Sequence, residues 1–162
     1  MINSLQQFFE QRLQPAFKGN DTHIAEHAIR LATAALLVET AQADFEFDLL
    51  ERGALKSMLQ RVYGLTGRET ADLLSLAEQE VDASISLDQF TKLLDRNLNP
   101  EQKHHVLELL WEVAFVDGRI DKYEEYMIRK LADLLHVSHG KFIQTKLRVA
   151  DRSKQRGCHD SL

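Results

Sequence analysis

The sequence predicts an all-α fold, a single globular array of about seven to eight helices that contains a duplicated helix-turn-helix unit. Three observations carry this expectation. Seven Gly and two Pro in 162 residues supply too few turn signals for a β-sandwich or barrel, which needs one about every 8–12 residues. Apolar residues recur at helical spacing along most of the chain. Helix-start signals then divide the chain without calling for any strand. With 44% hydrophobic residues, a chain of this length can bury about two-thirds of the surface it exposes when unfolded. We therefore expect one compact domain over residues 1–150 and a polar, disordered tail over 151–162.

The first helix, about residues 3–14, has Leu5, Phe8, Phe9 and Leu13 on one side and ends before Pro15, which removes a backbone donor. A second runs from near Asp21 to about Ala43, with Ile24, Ala28, Leu31, Ala35 and Val38 along one stripe and Ala32 and Leu36 beside it. Being apolar over much of its girth, it reads as a central, buried helix. The third, about 48–63, carries Leu55, Met58, Leu59 and Val62 and stops at Gly64, where a left-handed cap costs little. Thr66 with Glu69 forms a capping box for a fourth over about 67–82, and Ser86 with Gln89 repeats the pattern for a fifth through Phe90, Leu93 and Leu94. Asn99-Pro100 opens the sixth, because proline suits the first helical position. Asp121 opens the seventh, with Tyr123, Met127, Leu131 and Leu134 or Leu135 inward. Ser138 opens the eighth, which frays after about Val149.

Composition narrows the function classes. A formal net charge of −5 opposes a nucleic-acid surface, which needs clustered Lys and Arg. The one basic concentration, Lys146, Arg148, Arg152, Lys154 and Arg156, reads as a solvated end. Cys158 is the single cysteine, so no internal disulfide forms, and a reducing compartment is expected. No apolar run reaches the roughly 20 residues of a membrane span, and MINSLQQFFEQRLQ lacks the order of a signal peptide. These features place the protein in the cytoplasm.

No Ser/His/Asp order, glycine-rich phosphate loop or activated cysteine is present, and no organic cofactor is implied. His23 and His27 flank Glu26 at the spacing, but not in the order, of a zinc-protease helix, and capping and surface roles explain them better. Trp111, between Leu110 and Val113, reads as core.

One pattern occurs twice. LLVETAQADFEFDLLE at 36–51 and LLWEVAFVDGRIDKYE at 109–124 share seven identities in 16 positions at a constant offset of 73. Asp44, Asp48 and Glu51 match Asp117, Asp121 and Glu124, and Leu36, Leu37, Glu39 and Ala41 match Leu109, Leu110, Glu112 and Ala114. This marks a repeated unit, about 21–63 and 99–136. Asp48 and Asp121 fit a helix N-cap, with Glu51 and Glu124 at capping-box spacing. Asp44 and Asp117 fall at or past a helix C-terminus, where the backbone dipole disfavours an acid by ~0.3–1 kcal/mol. Three carboxylates round one turn repel each other unless a cation, Arg or Lys neutralises them. Three readings follow: a site for a hard cation, Ca²⁺ or Mg²⁺ rather than Zn²⁺; structural caps and ion pairs involving Arg52 or Arg119; or a metal-dependent hydrolase that uses the cluster catalytically, which would also need a substrate cleft. Set on an EF-hand, Asp117, Gly118, Ile120, Asp121 and Glu124 fill the second half of the loop. Val113 and Phe115 fall where its first ligands belong. The stretch EQEVDASISLDQF at 78–90 has a similar look but ends on Gln89 in place of a bidentate Glu.

The duplicated ADxxxDxxE arrangement, and above all AFVDGRIDKYEEYMIRKLADLLHV at 114–137, resembles the TerB-like family of tellurite-resistance proteins and the related domain of DjlA-type co-chaperones. The resemblance covers roughly residues 20–148. It implies an all-α array in which the duplicated acids form a divalent-cation site, at Asp44, Asp48, Glu51, Asp117, Asp121 and Glu124 of this sequence. It implies a non-enzymatic module with a protein partner. Phe45 and Glu46 depart from the Asp-Gly character of the first repeat, and the sequence contains no His-Pro-Asp tripeptide of a J-domain.

Overall fold

A computed structural model describes the backbone of residues 4–43, 49–79, 83–115 and 122–160, with side chains over 5–40, 55–79, 85–115 and 125–152. The fold is all-α, and among the described residues there is no strand. None of these helices is long and apolar enough to cross a membrane. The chain divides into two compact units, Met1–Asn97 and Leu98–Leu162.

The first unit opens with helical backbone that continues past the expected end before Pro15. Helix α1 (Ser4–Phe8) passes through a π-helical turn, Phe9–Leu13, into α2 (Gln14–Lys18). Proline has no N–H and crowds the carbonyl four residues earlier. The ladder shifts at that point, with the Gln14 N–H donating to the Phe9 carbonyl five residues back, and resumes beyond the ring. Phe9 and Leu13 stay buried through the change.

Helix α3 (Thr22–Ala43) is the axis of this unit. The Asp21 carboxylate accepts from the His23 and Ile24 amides and caps it, as its N-cap position demands. Ala28, Leu31, Ala32, Ala35, Leu36 and Val38 are all buried, as the apolar girth predicts. Thr33 and Thr40 satisfy their hydroxyls on the Ile29 and Leu36 carbonyls of the same helix, so they fit an apolar surface. Ile24 departs from the expected stripe: it is 56% exposed, because it lies in the first turn, where α3 begins before its neighbours cover it. Around α3 pack α2, α4 (Leu49–Tyr63), α5 (Gly67–Glu78) and α6 (Ala83–Asn97).

Local signals set most of these boundaries. Gly64 terminates α4 at φ 67°, with its N–H on the Gln60 carbonyl. Thr66 and Glu69 close a reciprocal capping box on α5. Glu69 uses its second oxygen as well, accepting from His27 Nε2 on α3 at 2.8 Å. Partial burial pushes the Glu69 carboxyl up, but the Thr66 amide, the His27 ring and the Thr66 hydroxyl outweigh it and hold the group below its ordinary value. The expected start at Ser86 is incorrect. Helix α6 already begins at Ala83, and Ser86 lies buried on the face shared with Leu87 and Phe90. Ser86 is an interior position of the helix and not its N-cap.

The second unit is built on α7 (Pro100–Ala114), which opens with an Asn99/Gln102 capping box and Pro100 in its first turn. It packs against α8 (Lys122–Leu134) and α9 (His139–Asp160). Ser138 caps α9 through the Lys141 amide. Between α8 and α9 the chain reverses through His136 at φ 59°. The Val137 N–H reaches the Ala132 carbonyl and the His136 N–H reaches Asp133, the paired bonds of a Schellman cap. Helix α9 continues to Asp160, well past Val149, so the stretch expected as a polar tail has helical backbone.

The two left-handed caps make opposite predictions. A Cβ at Gly64 meets nothing within 4 Å, so Gly64→Ala pays only the left-handed backbone cost and lowers stability by about 1 kcal/mol. His136→Gly relieves the same cost and raises stability by up to about 1 kcal/mol. Urea unfolding followed by circular dichroism measures both; a neutral Gly64→Ala would show that this cap is not under tension.

Candidate functional site

The duplicated acids fall at the α3–α4 and α7–α8 connections. Asp44, Asp48, Asp117 and Asp121 lie outside the described residues. Glu51 and Glu124 are each the third residue of a helix, α4 and α8, and of these two only the backbone is described. Among the described residues no group of three His, Cys, Asp or Glu is placed to hold a metal.

The helices that bring the chain to and from these acids are well defined, and burial recurs along them at the 73-residue offset of the sequence match. Thr33 and Val106, Ala34 and Leu107, Leu36 and Leu109, Leu37 and Leu110, and Val38 and Trp111 are buried in pairs on α3 and α7. Leu55 with Ile128 and Leu59 with Ala132 continue the correspondence on α4 and α8. Each unit thus sends a buried helix into an acidic connection and takes the chain back on a helix of matching register.

Within those apolar stretches stands a matched glutamate, Glu39 and Glu112, five residues ahead of Asp44 and Asp117. Glu39 is 1% exposed, and a carboxylate so deeply buried requires hydrogen bonds or a countercharge. Glu112 is more open and has Arg152 Nη1 at 3.9 Å. Sequence reasoning used these two only to align the repeat. An acid breaking the apolar runs LLVE and LLWE was the available signal.

Beside the second acidic connection, one lysine ties three helices together. Trp111 on α7 is fully buried, as expected, with ring centroids 6.0 Å from Phe115 and 5.4 Å from Phe142. Lys146 of α9 places Nζ 5.6 Å from the Trp111 centroid, within cation-π range, and donates to Glu125 Oε1 on α8 at 2.8 Å. The Lys146 hydrogen bond lowers the Glu125 carboxyl, partial desolvation opposes it, and the charges of Lys146 and Arg129 add to the lowering. Trp111 Nε1 has no hydrogen-bond partner among the described residues.

Of the basic residues on α9, Arg148 and Arg152 keep much of their surface exposed yet pair with carboxylates of α7; the side chains of Lys154 and Arg156 lie outside the described residues. Arg148 Nη1 donates to Glu108 Oε1 at 2.9 Å, and Arg152 Nη2 donates to Glu108 Oε2 at 3.2 Å. The i, i+4 spacing of Glu108 and Glu112 on α7 faces the i, i+4 spacing of Arg148 and Arg152 on α9. Glu108 is buried, and both of its oxygens are engaged, which is what makes its burial tolerable. His27 is exposed, in keeping with the surface role expected of it, and its ring is engaged by Glu69.

The family model of tellurite resistance protein TerB matches residues 30–147. The chain belongs to the TerB family. The TerB match takes in both acidic connections, all of α4 to α8, and most of α3. It begins after His27 and ends before Arg148, so part of each unit lies beyond it. No curated protein and no solved structure matches this TerB chain.

Two outcomes test the charge arrangement of the second unit. Removing both guanidiniums, Arg148→Ala with Arg152→Ala, strands the Glu108 carboxylate and destabilises the unit by about 1–3 kcal/mol. Adding Glu108→Met restores most of the loss, because the buried charge goes with its partners; a triple variant no better than the double one would refute this account. Glu125 has a lowered folded-state value, so its contribution is complete above the ordinary glutamate range and disappears as the pH falls through the lowered one. Thermal melts between pH 6 and pH 3 should therefore fall less steeply for Glu125→Gln than for the parent.

Proposed function

We propose that this TerB-family protein is a non-enzymatic, cytoplasmic interaction module. It binds a divalent cation, Ca²⁺ or Mg²⁺ rather than Zn²⁺, at its acidic connections and presents the resulting surface to a protein partner, with no organic cofactor and no nucleic acid. One observation carries the reading: the acidic triad recurs at the same 73-residue offset as the buried faces of the helices on either side. A set of carboxylates suits a hard cation, which takes several oxygen ligands. Asp117, Asp121 and Glu124 would supply them in the second unit and Asp44, Asp48 and Glu51 in the first. Neutralising the acids removes their mutual repulsion and ties the end of one helix to the start of the next. Gly118 gives the second connection a freedom that Phe45 denies the first, so we assign it the tighter binding.

A purely structural reading rests on a specific feature. Glu51 and Glu124 are third helical residues, the capping-box position relative to Asp48 and Asp121. It leaves Asp44 and Asp117 without a role.

Calorimetric titration of chelator-treated protein with Ca²⁺, Mg²⁺ and Zn²⁺ separates the two. Trp111 adds a local probe, since it packs on Phe115 directly ahead of the second acidic connection. The expected result is saturable heat, a change in Trp111 emission, and stabilisation of about 2.7 kcal/mol when free metal is a hundredfold above the dissociation constant. Asp117→Asn with Asp121→Asn abolishes the fluorescence change. No heat and no melting shift at millimolar metal would reject the cation reading in favour of the structural one, and unchanged binding by the double variant would move the site elsewhere.

A further inference from the structure

The first unit holds a cleft of about 310 Å³ between the π-helical turn, α3 and α5, at the lower end of the range of small-molecule sites, ~300–1,000 Å³. Its floor is apolar, formed by the buried Ala28 and Leu31 of α3, and the 56% exposed Ile24 stands at its edge. Five charged or titratable side chains line the wall: Arg12, His27, Arg68, Glu69 and Asp72. Four of them are already matched. Arg12 Nη2 donates to Asp72 Oδ2 at 3.1 Å, and His27 Nε2 meets Glu69 Oε2 at 2.8 Å. Glu69 is further committed to the Thr66 amide through its other oxygen.

Arg68 is different. It is exposed in the first turn of α5, and among the described residues it has no ion pair. Among the described residues the wall thus offers one uncommitted guanidinium beside an apolar floor, in a chain whose formal net charge is −5. A single cation calls for a single negative charge, and the floor calls for an aliphatic body. A dianion such as phosphate would find only one uncommitted cation among the described residues for its two charges.

We propose that this cleft binds a small amphipathic monocarboxylate, its carboxylate on Arg68 and its aliphatic part over Ala28 and Leu31 against Ile24. The planar fork of arginine matches a carboxylate with two parallel N–H donors, and burial of the alkyl chain contributes about 0.8 kcal/mol per methylene. Five of the ten lining residues, among them Arg12, Ile24 and His27, precede residue 30, where the family match begins. Half of the lining thus lies outside the family match, and none of it belongs to the acidic connections.

Sodium octanoate is the probe, titrated into the chelator-treated full chain and followed by amide chemical shifts. Saturable shifts should centre on Ile24, His27 and Arg68, with acetate much weaker for want of an alkyl chain and octylammonium giving none for want of a negative charge. Arg68→Glu should weaken octanoate about ten- to a hundredfold, the value of one charge-assisted hydrogen bond. An acid in the first turn suits the helix dipole, so this variant folds. Lys130→Glu, an exposed site on α8, should bind octanoate like the parent. Absence of saturable shifts at millimolar octanoate, equal binding of octylammonium, or unchanged affinity in Arg68→Glu would each overturn the proposal. Because no metal is present, failure of the cation reading leaves this result untouched.

Discussion

A helix that is apolar round most of its circumference has no stable position at a surface, and each unit is organised by the need to cover one. In the first unit the covered helix is α3, in the second α7. Everything else in each unit is placed by its part in that enclosure: α2, α4, α5 and α6 about α3, and α8 and α9 about α7. The driving term is removal of apolar surface from water at roughly 25 cal/mol per Å². Loop chemistry is secondary to it, which is why short connections with few glycines suffice.

Enclosure creates a second requirement, because both central helices carry acids. Glu108 meets it with two guanidiniums from α9, and Glu112 shares one of them at longer range. Charge here favours α9 as the helix that lies against α7, since both cations that answer Glu108 come from it. Lys146 adds a further tie, answering Glu125 on α8 while resting over the face of Trp111. The indole N–H of the tryptophan finds no acceptor among the described residues.

Much of this was legible in the residues because it is local. Gly64, Thr66 with Glu69, Asn99 with Pro100, and Ser138 each act within one helical turn, and each marks a boundary where the chain has it. Ser86 misled because a capping signal and a buried interior serine look alike until the inward face of the helix is known. Pro15 misled because a π turn let helical backbone continue past it. The ion pairs of Arg12, His27, Arg148 and Arg152 join residues 40 to 60 positions apart, beyond any spacing rule. That Arg148 and Arg152 meet carboxylates is seen only in the fold. Of the candidate site, the sequence match at a constant 73-residue offset was readable, and the burial of Glu39 came only with the fold.

Helix α9 also bears on where this protein can be cut. The family resemblance stops at residue 147, a natural place to truncate a recombinant fragment, yet the two arginines that satisfy Glu108 come immediately afterwards. A fragment ending there keeps the whole matched segment and leaves a buried carboxylate with neither of its guanidiniums. One beginning at residue 30 discards Arg12 and His27, which hold α5 through Asp72 and Glu69. The segment that the family model matches and the segment that closes its own electrostatics are different lengths of chain.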